Sequence, residues 1–112
     1  MELTPDQAKT LARIKAELDG LGLCLPGSVV VRTGPCGKQA CRCHADPSAH
    51  HGPFRSWTRS VSAKTVTRLL RQDQLDDYQP LFDNHKKLRR LVKELEALSL
   101  DVVDHDPRWK QR

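Results

Sequence analysis

The residues best suited to chemistry lie in one cysteine- and histidine-rich loop, residues 34–53. Three of the four cysteines have the spacing C-x4-C-x-C, and three of the five histidines follow them closely. Structural Zn²⁺ takes four sulfur or nitrogen ligands in a closed tetrahedron. Glycine and proline at both ends of the loop favour a tight fold around such a centre. The pattern therefore predicts a structural zinc site, with the ligands Cys36, Cys41, Cys43 and His51.

Other ligand sets and other chemistries are alternatives for the same loop. His44 ranks below His51 because it adjoins Cys43 and would need a tight chelate, and His50 ranks third. The cysteines could also form a disulfide, remain free thiols or hold an iron–sulfur cluster. A catalytic zinc would need an open coordination position and a nearby acid or base, and only Asp46 is close. We therefore expect a structural metal and no enzymatic activity, since no nucleophile–base pair is visible.

Composition favours a small domain that needs such a clip. The chain has 112 residues, of which 38% are hydrophobic and 4% aromatic. A domain of this size buries a modest core, and a bound metal is a common remedy. No signal-peptide segment follows Met1 and no apolar run reaches membrane-spanning length, which predicts a cytoplasmic protein without a membrane partner. A reducing compartment favours metal over disulfide, and Cys24 is interpreted as a core residue.

Positive charge is concentrated in the middle of the chain. Residues 21–71 contain eight lysines and arginines and one acidic residue, Asp46, against a net charge of +5 for the whole chain. A basic surface of this kind is typical of proteins that face a polyanion, although it could also be an ordinary solvated surface. The predicted nucleic-acid contacts are Lys38, Arg42, Arg55, Trp57, Arg59, Lys64 and Arg68.

The elements that position these residues begin with a helix over residues 5–19. Thr4 and Gln7 form a capping-box pattern around Pro5, and apolar residues recur at helical spacing. A β-branched run predicts a strand over 28–33, and residues 54–70 predict a hairpin. Its turn, Ser62–Ala63, is weak because neither residue readily adopts positive φ.

The proposed hairpin register places Val61 opposite Lys64 and Trp57 opposite Arg68. Period-two alternation then puts eight side chains on one face: Arg55, Trp57, Arg59, Val61, Lys64, Val66, Arg68 and Leu70. Trp57 is either a core residue, which we favour because large side chains are scarce, or a platform on which nucleic-acid bases stack.

The C-terminal part is predicted to be a helical arm over residues 73–99. Pro80 should kink or divide it, or begin its second part, and the expected result is a short helix over 73–79 and a long one over 81–99. Leu88, Leu91, Leu95 and Leu98 form a stripe that either packs on the first helix or provides a seam for a homodimer or another partner. Residues 101–112 lack a period and are expected to be an extended or disordered tail.

Four segments together resemble a known family. They are Gly27–Arg32, the Cys36-Gly37-Lys38-x-x-Cys41-x-Cys43-His44 segment, His51-Gly52-Pro53-Phe54, and Lys64-Thr65-x-Thr67-Arg68-x-Leu70. The family is a group of small bacterial proteins, catalogued as a domain of unknown function, that are often encoded beside transposases and other mobile elements. The resemblance covers about residues 27–98 and implies that Cys36, Cys41, Cys43 and His51 belong together. This chain departs from the family's glycine-rich turn at Ser62–Ala63 and from its aromatic residues after His-Gly-Pro.

These observations predict an α+β fold with an N-terminal helix, a three-stranded antiparallel sheet with a zinc-clipped loop and a long C-terminal helix. Residues 1–100 are expected to form a single zinc-stabilised domain. The leading hypothesis is a Zn²⁺-dependent nucleic-acid-binding protein, with DNA favoured over RNA, that regulates or assists a mobile element and could contact a transposase or recombinase. The alternatives are an adaptor or inhibitor that docks through the leucine stripe, and a redox sensor whose zinc thiolates are oxidised.

Overall fold

The computed structural model describes residues 1–34 and 51–111 and confirms the predicted α+β architecture. The elements are α1 (Pro5–Asp19), β1 (Ser28–Gly34), β2 (His51–Val61), β3 (Lys64–Leu70), α2 (Gln72–Asp104) and a short 3₁₀ helix (Pro107–Gln111). The chain forms two compact units: a sheet unit, Leu25–Phe82, and a helical unit that combines Met1–Cys24 with Asp83–Arg112. Within the described residues, neither helix is long and apolar enough to cross a lipid bilayer.

Helix α1 begins with the predicted capping box. The Thr4 hydroxyl accepts a hydrogen bond from the Gln7 backbone N–H at 3.1 Å, and the Gln7 side chain accepts one from the Thr4 N–H at 2.9 Å. The two bonds satisfy backbone donors that lack partners within a helix. Since Pro5 occupies the first turn and the Gly20 N–H closes the last, the helix spans Pro5–Asp19 as predicted.

In the helical unit, α1 runs antiparallel to the second part of α2. Three polar contacts connect the helices. As the residue number rises along α1, the residue number of the contact on α2 falls, which shows the antiparallel direction. The contacts are Gln7 with Asp101 at 2.9 Å, Arg13 with Glu94 at 3.2 Å, and Glu17 with Arg90 at 3.4 Å. Ile14 of α1 and Leu91 of α2 are fully buried. The leucine stripe therefore contributes to a core within this chain.

The sheet has the order β1-β2-β3, and both pairs of neighbours are antiparallel. The β2–β3 register is the predicted one, with Trp57 opposite Arg68 and Val61 opposite Lys64. Ser62 and Ala63 form the turn with φ values of 50° and 66°. Left-handed backbone at both turn residues matches the twist of the strands, which is why the register imposes it without glycine or asparagine.

The core of the sheet unit is centred on Trp57. Its ring meets the Phe82 ring edge to face, with centroids 5.8 Å apart, and Leu70 completes the buried cluster. The indole N–H donates to the Pro26 carbonyl at 2.9 Å, so its polar atom is satisfied in the core. Because Trp57 is only 8% exposed, it is a core residue. This is the favoured one of the two interpretations of Trp57, and little ring surface is left for the alternative, an exposed stacking platform.

Helix α2 is continuous from Gln72 to Asp104, and the predicted division at Pro80 is wrong. Proline removes one backbone donor and clashes with the preceding turn, which can kink a helix without ending it. Tyr78 lies before Pro80 and Phe82 after it, and both side chains pack in the core around Trp57. Packing on both sides of the proline thus holds the two segments in one helix.

The C-terminal segment is helical where an extended tail was expected. Helix α2 continues through Asp104, and the 3₁₀ helix follows at Pro107–Gln111. Asp106 accepts a hydrogen bond from the Arg108 N–H at 2.9 Å, and the Trp109 indole N–H donates to the Val103 carbonyl at 2.8 Å. These local side-chain contacts order a segment that has no hydrophobic period for sequence analysis to detect.

Candidate nucleic-acid interface

The described strands carry five cations and no acidic residue. Among the described residues none of the five takes part in an ion pair, whereas Arg71, just after β3, is paired with Asp73 at 3.1 Å. The five unpaired cations are Arg32, Arg55, Arg59, Lys64 and Arg68. The sheet is therefore a surface with uncompensated positive charge.

Strand pairing assigns these cations to two faces. Residues that pair across antiparallel strands lie on the same face, and successive residues alternate. The core face contains Trp57 and four of the cations: Arg55, Arg59, Lys64 and Arg68. The opposite face, here called the hydroxyl face, contains Ser28, Val30, Arg32, Phe54, Ser56, Thr58, Ser60, Thr65, Thr67 and Leu69.

Three cations surround one valine near the hairpin turn. Arg59 pairs with Val66, and Lys64 and Arg68 lie two positions to either side of Val66 on β3. Diagonal neighbours of this kind lie about 7–8 Å apart, within reach of one phosphate backbone. Lys64 and Arg68 are exposed. We call Arg59, Lys64 and Arg68 the basic hairpin patch.

Arg59 is held on the tryptophan of the core. Its guanidinium carbon lies 5.0 Å from the centre of the Trp57 ring, a cation–π contact. Its Nε atom is buried and has no hydrogen-bond partner among the described residues. An unsatisfied buried donor costs about 1–3 kcal/mol, and a charged one more. Such violations of polar satisfaction are concentrated at functional sites.

Arg55 was predicted to contact nucleic acid together with these residues, but its side chain has a partner within the sheet. Its Nε donates to the Leu70 carbonyl at 3.1 Å across the strand pair, and its side chain is partly buried. This hydrogen bond commits the guanidinium to the end of the hairpin. Arg55 is therefore a weaker candidate for a phosphate contact than the basic hairpin patch.

The predicted metal site falls mostly outside the described residues. This applies to Cys36, Cys41, Cys43, His44 and His50, and also to the basic residues Lys38 and Arg42. His51 begins β2, where its backbone pairs with Gly34 at the end of β1. Across residues 1–34 and 51–111, no group of three or more histidine, cysteine or acidic side chains could hold a metal ion. The zinc site stays a prediction.

The leucine stripe offers little free surface. Leu91 is fully buried, and Leu88, Leu95 and Leu98 are partly buried in the helical unit. A seam for a partner would need these side chains to be exposed, since only exposed apolar area can be buried on association.

One arginine–aromatic pair was missed from sequence. The guanidinium carbon of Arg32 lies 5.7 Å from the centre of the Phe54 ring, on the hydroxyl face. The pair depends on the β1–β2 register, in which Arg32 is opposite Phe54. Residues 35–50 separate the two strands, so no turn pattern fixes that register in the sequence. The absence of acidic residues near Arg32 was the only available signal.

A protein-family profile described as a domain of unknown function, DUF6788, matches residues 5–80. The chain belongs to this family. The DUF6788 match spans α1, the three strands and the start of α2, so it begins earlier and ends earlier than the expected resemblance over residues 27–98. Searches of curated proteins and of solved structures found no significant match.

The DUF6788 match includes the whole basic hairpin patch and the Arg32–Phe54 pair. Its description gives no activity, no metal and no genomic setting.

Proposed function

We propose that the basic hairpin patch of this DUF6788 protein binds the phosphate backbone of a nucleic acid. The observation that carries the proposal is the state of Arg59: its guanidinium stacks on Trp57, it has no ion pair among the described residues, and its buried Nε has no hydrogen-bond acceptor there. Phosphate oxygens are the acceptors that guanidinium groups bind best. Arg68 and Lys64 extend the same surface, and the strands contain no acidic residue to repel a polyanion.

Zinc is part of the proposal as a structural clip. The pairing of Gly34 with His51 brings the two ends of the cysteine-rich segment together, as a metal site with ligands from that segment and from His51 would require. Cys36, Cys41, Cys43 and His51 would close a tetrahedral site there, with Lys38 and Arg42 adding positive charge. We further propose, from the family resemblance, a regulator or accessory factor of a mobile element with DNA as its target.

A salt series tests the phosphate contacts. Fluorescence anisotropy with a labelled DNA duplex should show affinity that falls steeply with salt, by a log–log slope near −0.9 per phosphate contact. Replacing Arg59 and Arg68 together by alanine should weaken binding to all sequences and flatten the slope by about two. Arg71→Ala is the matched control, because Arg71 already has a carboxylate partner in Asp73.

The decisive negative result is simple. Folded, metal-loaded protein that binds neither duplex nor single-stranded nucleic acid at low salt would overturn the proposal. A slope that changes equally in the double variant and in Arg71→Ala would show general electrostatic attraction without a defined patch.

The adaptor hypothesis has less support than nucleic-acid binding, because the central leucine of its docking stripe, Leu91, is fully buried. The redox-sensor hypothesis depends on cysteines outside the described residues, and no contact within residues 1–34 and 51–111 favours it.

A further inference from the structure

We infer that the nucleic acid bound by this domain is single-stranded and that the Arg32–Phe54 pair is a platform for one of its bases. The inference rests on the proposed function and specifies its substrate class. It places base contacts on the hydroxyl face of the sheet, whereas the phosphate contacts proposed above lie on the core face.

The Arg32–Phe54 pair has the geometry of a stacking platform. The guanidinium carbon lies 5.7 Å from the ring centre, so the phenyl ring supports the cation from one side. Arg32 is exposed and has no ion-pair partner among the described residues, and Phe54 is partly buried beside it. Arginine guanidinium planes and aromatic rings are the surfaces on which unpaired bases stack.

The rest of the hydroxyl face suits a base-covered surface. Beside the platform, Val30 and Leu69 are 58% and 66% exposed and flank Ser56 in the middle strand. Next along the strands, the hydroxyls of Thr58 and Thr67 lie 3.2 Å apart. Each hydroxyl can donate one hydrogen bond and accept two, so this pair keeps capacity for a ligand. Exposed apolar side chains and hydroxyls accommodate any base.

Charge selects a nucleic acid as the occupant of this face. None of its ten residues is acidic, and its one charged residue is Arg32. An acidic peptide could also approach a cation, but it would leave the arginine–aromatic stack and the exposed apolar side chains without a matching partner. A nucleic-acid strand supplies both a polyanion and flat apolar bases.

The platform distinguishes single strands from duplexes. In a duplex the base faces are stacked on one another, so a protein meets phosphates and groove edges. An unpaired base can leave its neighbours and stack on the platform. The basic hairpin patch can contact the phosphates of either form, which makes the hydroxyl face the source of any preference.

Two substitutions that retain charge or apolar character test the platform. Arg32→Lys keeps the positive charge but loses the planar group, and Phe54→Leu keeps an apolar side chain without a ring. Anisotropy at fixed low salt should use labelled oligothymidylate longer than the roughly 4–16 nucleotides that one small domain covers, beside a duplex of equal length. Each variant should lose about 5- to 150-fold in single-strand affinity, while duplex affinity changes by less than about twofold.

The controls separate failure of this inference from failure of the proposed function. Val31→Thr, at a 55% exposed position on the opposite face of the same strand, should leave the ratio of single-strand to duplex affinity unchanged. Wild-type protein that binds duplex as tightly as single strands, or variants that keep their single-strand preference, would overturn the platform and leave phosphate binding intact. Absence of binding to both probes would instead refute the proposed function. If Phe54→Leu fails to fold, the exposed Arg32→Lys substitution decides.

Discussion

The guanidinium carbon of Arg59 lies 5.0 Å from the ring centre of Trp57, so a partly buried cation of the sheet rests on the sheet's most buried aromatic residue. The contact orients Arg59 and covers one side of the indole. Its Nε nevertheless lacks an acceptor among the described residues. Replacing Arg59 should therefore weaken nucleic-acid binding without lowering the free energy of unfolding.

Arg59→Met should separate the effect of Arg59 on nucleic-acid binding from its effect on stability. Methionine keeps a flexible apolar chain over the Trp57 ring and removes the unsatisfied donor, and replacing a buried charge by an apolar group is often neutral or stabilising. We expect a free energy of unfolding within about 1 kcal/mol of wild type or higher, measured by urea denaturation, together with weaker nucleic-acid binding. A large loss of stability would mean that the cation is mainly structural.

Gly27→Ala should destabilise the sheet unit. Gly27 has φ of +102°, and an added Cβ would lie 2.5 Å from the Thr58 carbonyl oxygen and 2.6 Å from the Trp57 indole nitrogen. Backbone strain and overpacking together should cost about 2–4 kcal/mol in urea denaturation. Gly22→Ala is the control, since its Cβ would meet only Asn84 at 3.5 Å, and it should have a small effect.

Ala63→Gly should stabilise the hairpin, although glycine usually weakens regular structure. Ala63 has φ of 66°, and left-handed backbone costs a residue with a Cβ about 1–2 kcal/mol. After the larger entropy loss of glycine is subtracted, we expect a gain of about 1 kcal/mol. The same substitution at Ala12, an exposed position inside α1, should lose about 0.5–1 kcal/mol. Changes in the free energy of unfolding that have the same sign at the two sites would contradict this account of the turn.

The C-terminal 3₁₀ helix should persist in acid. Hydrogen bonds from the Arg108 side chain and backbone lower the pKa of Asp106 from 3.8 to about 2. Because the pKa of Asp106 is lower in the folded chain than in the unfolded chain, its contacts stabilise the fold at pH values above about 3.8. That stabilisation is lost as the pH falls through about 2. The Trp109 indole N–H resonance, bonded to the Val103 carbonyl, should report the loss by NMR. In Asp106→Asn the resonance should shift toward its unfolded position without this acid transition.

Zinc should be found in protein purified without added metal, at about one ion per chain by elemental analysis. Cys41→Ala should lose the metal, because structural sites need all four ligands, and a strong chelator should destabilise the sheet unit. Cys24→Ala should retain it. Folded, metal-free protein with all thiols reduced would refute the zinc site.

Local signals were sufficient for much of the fold. The capping box at Thr4 and the hairpin register around Ser62–Ala63 follow from neighbouring residues, so both could be predicted. The continuity of α2 could not, because it depends on packing of Tyr78 and Phe82 on either side of Pro80. The Arg32–Phe54 platform needed the pairing of two strands that are separated by residues 35–50.

The antiparallel pairing of α1 with the second part of α2 has a consequence during protein synthesis. The contact between Gln7 and Asp101 cannot form until Asp101, 94 positions later, has been synthesised. At about 5–20 residues per second, α1 spends roughly 5–20 s without its partner. All residues of the sheet unit leave the ribosome before Asp101, so the sheet can fold while the apolar stripe of α1 is still exposed to chaperones.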